Sequence, residues 1–204
     1  MKKIVIALSL AAMGLTATQA MAQQSPWQVR ARAVNISPDN KSDAIAALGV
    51  AADAIHVSNK TIAEVDITYF VTPNWSAELI LTYPQKHDVT LNGTNIGTFK
   101  HLPPTLTAQY HFAPDAQVSP YLGAGVNYTR ISDVNLLKGT ADLDSNSFGF
   151  AIQAGVDFKL DKNWSLNLDV KKVQIRSDVT AGGAKISNVK VDPWLVGVGV
   201  GYRF

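Results

Sequence analysis

The stretch that most constrains the fold is VDPWLVGVGVGYRF at the end of the chain. There Trp194, Val196, Val198, Val200, Tyr202 and Phe204 alternate with Leu195, Gly197, Gly199, Gly201 and Arg203. Successive side chains of a strand point to opposite faces, so this segment has one broad apolar face and one made mostly of glycine. A strand of a soluble sandwich sets its bulky face against a polar one. Here the second face is small rather than polar, which suits a strand with lipid outside and a narrow lumen inside.

The other end of the chain agrees with a membrane destination. MKKIVIALSLAAMGLTATQAMA places Lys2 and Lys3 before an apolar run from Ile4 to Leu15 and closes on Ala20-Met21-Ala22. This is the pattern of a secretory signal over residues 1–22, cut before Gln23, leaving 23–204 as one barrel domain. As a membrane anchor the apolar run is too short. The signal holds two of the 18 basic residues and none of the 16 acidic ones, so the remainder balances at 16 against 16. A neutral chain gives no case for a nucleic-acid partner. It has no cysteine, which excludes disulfides and thiolate metal sites. No later run suffices for a membrane helix, since AIAALGVAADAI is short and carries Asp53. An exported chain of this kind is either soluble or a closed barrel.

Read at period two, residues 23–204 resolve into eight segments joined by alternating short and long connections. They are WQVRARAV, TIAEVDITYF, WSAELILTY, a fourth around FKHLPPTLTAQYHF, PYLGAGVNYTR, SFGFAIQAGVDF, WSLNLDVKKVQI and the final stretch. Tight turns fall at Thr72-Pro73-Asn74, at APDAQ and at Asp161-Lys162-Asn163. Short turns at one end, long loops at the other, an even strand number and outward aromatics predict an eight-stranded antiparallel transmembrane β-barrel of outer-membrane type, an all-β fold. A soluble barrel of the lipocalin kind would instead turn its apolar residues inward.

Three stretches, HLPPTLTAQYHF, PYLGAGVNYT and DPW followed by GYRF, resemble motifs of the OmpW family of outer-membrane proteins. The likeness covers nearly the whole chain and departs from the family in the Ala-rich first loop, SDAIAALGVAADAIHVSNK. It implies a porin-like channel in a Gram-negative outer membrane, among lipids and lipopolysaccharide, that admits small hydrophobic molecules and uses no cofactor. It also implies that Phe204 is the terminal aromatic read by the barrel-insertion machinery.

Sorting inward positions by height separates two zones. The lower lumen collects Arg30, Arg32, Glu64, Asp66, Glu78, Asp157, Asp169 and Arg203, with Gln109, Asn127, Gln153 and Asn167. Strands eight, one, two and three are neighbours in a closed barrel, so Arg30 and Arg203 are expected to meet Asp66 and Glu78. Desolvated charges need such partners, and eight strands leave room for little but side chains, so the network reads as a plug. The upper lumen collects Val34, Ile36, Ile62, Ile80, Ile131, Val173, Ile175 and Leu195, which read either as the lining of an apolar channel or as a packed core. Pro103 and Pro104 interrupt the fourth segment, where each lacks the N–H of a ladder bond. They mark either a lateral opening to the bilayer or merely a bulge or strand end near the outer rim.

Catalysis finds no support in the pattern. His87 and His101 have no nucleophile or orienting partner at a useful spacing, and the four histidines lack metal-ligand spacing. They read as loop or rim residues, and the protein as no enzyme. The alternative to a channel is a barrel that stabilises the membrane or binds partners through its loops.

Overall fold

A strand with one apolar face is stable against lipid, and closing the sheet on itself leaves no unpaired backbone edge within the bilayer. The computed structural model describes residues 25–46 and 49–204, in which eight strands form a closed antiparallel barrel. The expected signal segment lies outside the described residues.

Strand β1 (Trp27–Ser37) rises to a long connection that carries the short strands β2 (Lys41–Ser42) and β3 (Ile55–Val57), and β4 (Lys60–Phe70) descends. Residues 71–74 turn into β5 (Trp75–Leu81); above it stands the hairpin of β6 (Gln85–Leu91) and β7 (Thr94–Leu102), and β8 (Thr105–His111) returns. A turn at 112–117 leads into β9 (Val118–Leu136), one 3-10 turn (Leu137–Gly139), β10 (Ala141–Leu143) and the descending β11 (Asn146–Lys159). The chain ends with β12 (Trp164–Val173), the hairpin of β13 (Arg176–Ala181) and β14 (Ala184–Lys190), and β15 (Trp194–Arg203).

The barrel ladder runs β1-β4-β5-β8-β9-β11-β12-β15 and closes back on β1. β9 is 19 residues long, about 60 Å at the usual rise, whereas a tilted strand crosses a bilayer in about ten residues. Its upper part therefore stands above the membrane. There it pairs with β7 and β10, while β10 pairs β13, β13 pairs β14, β14 pairs β2 and β3 pairs β6. The Ser42 amide donates to Asp53 Oδ1 at 3.0 Å, joining β2 to the segment before β3. Two of the long connections, β6–β7 and β13–β14, are thus hairpins that extend the barrel upward, and β2 and β3 of the first connection add to them.

Outside, the wall exposes Val65, Leu79, Leu106, Leu122, Val126, Ile152, Leu168 and Val198. Below this belt, aromatic side chains meet edge-on across neighbouring strands: Trp27 with Tyr69 at 4.8 Å, Trp75 with Tyr110 at 5.0 Å and Trp164 with Tyr202 at 4.9 Å. Above it lie the exposed Tyr83, Tyr128, Phe148 and Trp194. Two aromatic levels around an apolar belt are the outer surface of a membrane barrel.

The glycine face of β15 has a steric cause. A Cβ on Gly199 would lie 2.2 Å from the Ala31 carbonyl oxygen and 2.6 Å from Arg32 Cγ. Glycine there lets the arginine stems of β1 cross the lumen. The fourth expected strand is corrected: it is not continuous, but stops at Leu102 and restarts as β8 at Thr105.

Candidate functional site

The lower lumen is filled by charge. Arg30 reaches Asp157 at 2.7 Å, Glu78 at 3.2 Å and Asp66 at 3.4 Å, and it donates to Thr68 Oγ1 at 2.9 Å. One turn of the ladder higher, Arg32 pairs Asp66 at 2.6 Å, Glu78 at 3.0 Å, Glu64 at 3.1 Å and Asp169 at 3.5 Å. Lys171 pairs Glu64 at 2.8 Å and Asp169 at 3.1 Å. Neutral groups close the remaining gaps: Gln109 and Gln153 donate to Glu78 Oε2, and Tyr121 donates to Asp169. All these side chains are buried. A floor so densely cross-linked leaves no apolar way down.

Arg203 is placed differently from the expectation. Its guanidinium lies 3.9 Å over the Phe70 ring, and Nε donates to the Ser25 carbonyl at 2.9 Å. Pairing opposite Gln28 puts it a step below Arg30, beneath the carboxylates it was expected to meet. Lys171, which shares the parity of Asn167 and Asp169, takes part in the floor instead and was missed by the sequence reading.

Above the floor the lumen is apolar. Val34, Ile36, Ile62, Ile131, Val173, Ile175 and Leu195 belong to one buried cluster, and Ile80 is buried as well. The upper hairpins complete the cluster with Val57, Val89, Phe99, Leu136, Val179, Val189 and Val191. Within this region lies a pocket, partly open to solvent, whose lining is apolar except for Ser177. A second, smaller pocket joins Ile36, Ile62, Ile80 and Leu195 to His101, Pro103 and Thr105, with Glu64 and Lys171 at its base. It reaches from the apolar lumen to the wall.

At that wall the ladder is interrupted. The β5–β8 pairing ends at Ile80↔Thr105, and the β6–β7 pairing begins at Gln85↔His101. Residues 82–84 and 103–104 belong to neither ladder and frame a window between them, with Pro84, Pro103 and Pro104 on its edges. The β4–β5 ladder also stops at Val65↔Leu81, beside the same window. On the β9 side the break is fixed in place. Asn127 donates its side-chain amide to the carbonyls of Pro103 and Pro104 at 3.2 and 3.1 Å, and the Tyr128 amide donates to Pro104 at 3.1 Å. Pro84, Pro103 and Pro104 supply no backbone donor at this edge.

His87 and His101, read from sequence as rim residues, are buried and face inward beside this pocket, with ring centroids 4.8 Å apart. Among the described residues no group of three or more His, Cys, Asp or Glu side chains is placed to hold a metal ion.

A closed eight-stranded barrel, with an apolar belt between aromatic levels and a lumen filled by paired charges below and apolar above, defines a small outer-membrane β-barrel of the channel class. The family model described as OmpW family matches residues 23–204, and the chain belongs to the OmpW family, in the bacterial outer membrane. It is 34% identical to outer membrane protein W of Escherichia coli (strain K12), over the full length of both chains. It is 28% identical to the dibenzothiophene metabolism operon protein PahQ of Pseudomonas aeruginosa, over 92% of this chain and 93% of that one. Its fold is similar to the crystal structure of the outer membrane protein OprG from Pseudomonas aeruginosa. The TM-score is 0.77 at 27% identity, covering 89% of this chain and 97% of that one.

Proposed function

We propose that the barrel admits small hydrophobic molecules from outside into its apolar upper lumen and releases them sideways into the bilayer through the Pro103–Pro104 window. The observation that carries this reading is an upper cavity lined almost wholly by apolar side chains above a floor of paired charges. An apolar solute gains by entering the cavity, at roughly 25 cal/mol per Å² of apolar surface removed from water. It gains nothing by entering the floor, where it would separate desolvated ion pairs. The remaining way out is the wall, and the pocket lined by Ile80, His101, Pro103 and Leu195 leads there. A relative named for a dibenzothiophene metabolism operon supports an apolar permeant. On this reading Val34, Ile36, Ile62, Ile80, Ile131, Val173, Ile175 and Leu195 line the route, and Arg30, Arg32 and their carboxylates seal it below. The lipid partners include lipopolysaccharide, and Phe204 serves recognition by the insertion machinery.

Placing a charge on the route tests it. Ile80→Arg and Leu195→Arg each put a guanidinium where an entering solute must desolvate it, at a cost of a few kcal/mol, about a hundredfold in rate. Proteoliposomes with equal amounts of folded protein are expected to lose uptake of an apolar solute with either variant and to keep it with Arg30→Ala. Uptake by both charged variants at the wild-type rate overturns the route.

A further inference from the structure

Three of the four ring nitrogens of His87 and His101 have no hydrogen-bond partner among the described residues, although both side chains are buried. Buried polar atoms are nearly always paired, so such a group points to a missing partner. Gln85, opposite His101 in the ladder, is in the same position. Its amide donates to Thr82 Oγ1 and the Tyr83 carbonyl, while Oε1 has no partner. Phe99 lies 5.9 Å from His87 and 6.0 Å from His101, and it lines the upper cavity, whereas His101 lines the pocket behind the window. His101 thus lines the pocket behind the window, and Gln85, its ladder partner, and His87, 4.8 Å away ring to ring, stand beside it, while Ile175 lines both spaces.

Their hydrogen-bonding roles follow from the neighbours. His87 Nδ1 lies 2.8 Å from the Ser58 carbonyl oxygen, which only accepts, so Nδ1 carries the proton and Nε2 presents its lone pair. Burial first, then His87 and Lys60, push the His101 ring down to about 3. It is therefore neutral at physiological pH, with one donor and one acceptor. Burial lowers His87 as well, with Lys60 acting in the same direction and the Ser58 bond and Asp88 against it. Toward the lumen the facing charges are Glu64 and Lys171, which pair with each other at 2.8 Å. No carboxylate bonds either ring, so a bound cation would find nothing to offset its desolvation.

We propose that His87, His101 and Gln85 recognise the hydroxyl group of neutral, otherwise apolar permeants such as phenols and alcohols. The hydroxyl donates to His87 Nε2 or Gln85 Oε1 and accepts the N–H of His101, while the hydrocarbon lies in the apolar lumen. This specificity rests on the channel reading above, but hydroxyl recognition is measurable as binding alone.

The test uses 2-naphthol and 2-methylnaphthalene, which differ by a hydroxyl for a methyl. Binding to the full barrel in detergent and uptake into proteoliposomes are measured for wild type, His87→Phe/His101→Phe, His101→Leu and His101→Gln. The ratio of naphthol to methylnaphthalene binding is expected to fall on the order of tenfold in the double variant, the worth of one well-placed hydrogen bond. It also falls in His101→Leu and is kept in His101→Gln, which retains a donor and an acceptor. An unchanged ratio in the double variant and in His101→Leu overturns the proposal, as does Zn²⁺ binding alone at micromolar concentration that the double variant abolishes. Should wild type take up neither solute faster than empty liposomes, the channel reading fails, while the binding ratio still decides hydroxyl recognition.

Discussion

Arg30 and Arg32 are held in the barrel by residues that leave space as much as by residues that pair with them. Gly199 and Gly201 face the β1 arginines, and a Cβ at Gly201 would lie 2.7 Å from Ser165 Oγ and 3.2 Å from Arg30 Cγ. The alternation that marks the last strand as lipid-facing therefore also makes room for the floor. Arg32→Met is expected to strand Glu64, Asp66 and Glu78 without one of their cations. Breaking a buried pair in this way lowers stability by about 3–5 kcal/mol, read as a lower urea midpoint for the barrel in lipid. An unchanged midpoint would mean that the floor is not held by this cation. Parity told which residues face inward, so most floor residues were legible in the sequence. Parity does not give height, which depends on register and tilt, and so Arg203 was read a step too high. Lys171 carries the right parity for the lumen, while its neighbour Lys172 points outward to Asp39 and the Trp194 ring.

Among the elements, the barrel strands were legible because lipid on one side and a narrow lumen on the other impose a strict period of two. The upper hairpins were not read, although their turns are explicit. Asn92-Gly93 has φ of 49° and 80°, and Gly182-Gly183 has 57° and 81°, the left-handed pair of a two-residue hairpin. Their strands are short and their outer faces are polar, as at Lys86, Asp88 and Thr90 or Arg176, Asp178 and Thr180, so the lipid-facing pattern that marks the barrel strands is missing there. Those hairpins carry Val89, Phe99, Val179 and Val189 into the cavity lining, and that part of the site was hidden with them. Replacing Gly182-Gly183 by Ala-Ala forces Cβ-bearing residues into that conformation, at roughly 1–2 kcal/mol each. Limited proteolysis is expected to cut within 176–190 faster while the strands in the bilayer stay protected. Equal cleavage rates would show that the hairpin does not depend on its turn. In the fourth segment the two prolines mark an interruption, but an alternating pattern on both sides does not distinguish a bulge from a strand end; the pairing of β6 with β7 shows that two ladders meet there.

On the proposed reading the whole molecule is a route with a closed bottom and an opening in the wall. The barrel contains no cysteine, so a pair introduced at the window reports on that window alone. Continuing the β5–β8 register beyond Ile80↔Thr105 brings position 82 opposite position 103, both of which line the pocket behind the window. The most direct measurement is uptake of an apolar solute into proteoliposomes carrying the Thr82→Cys/Pro103→Cys barrel, first oxidised and then reduced, with cross-linking verified by mass spectrometry. The account predicts that the oxidised barrel still binds the solute in its upper cavity but does not pass it on, and that reduction restores uptake. Transport at the same rate with the window cross-linked would contradict lateral release.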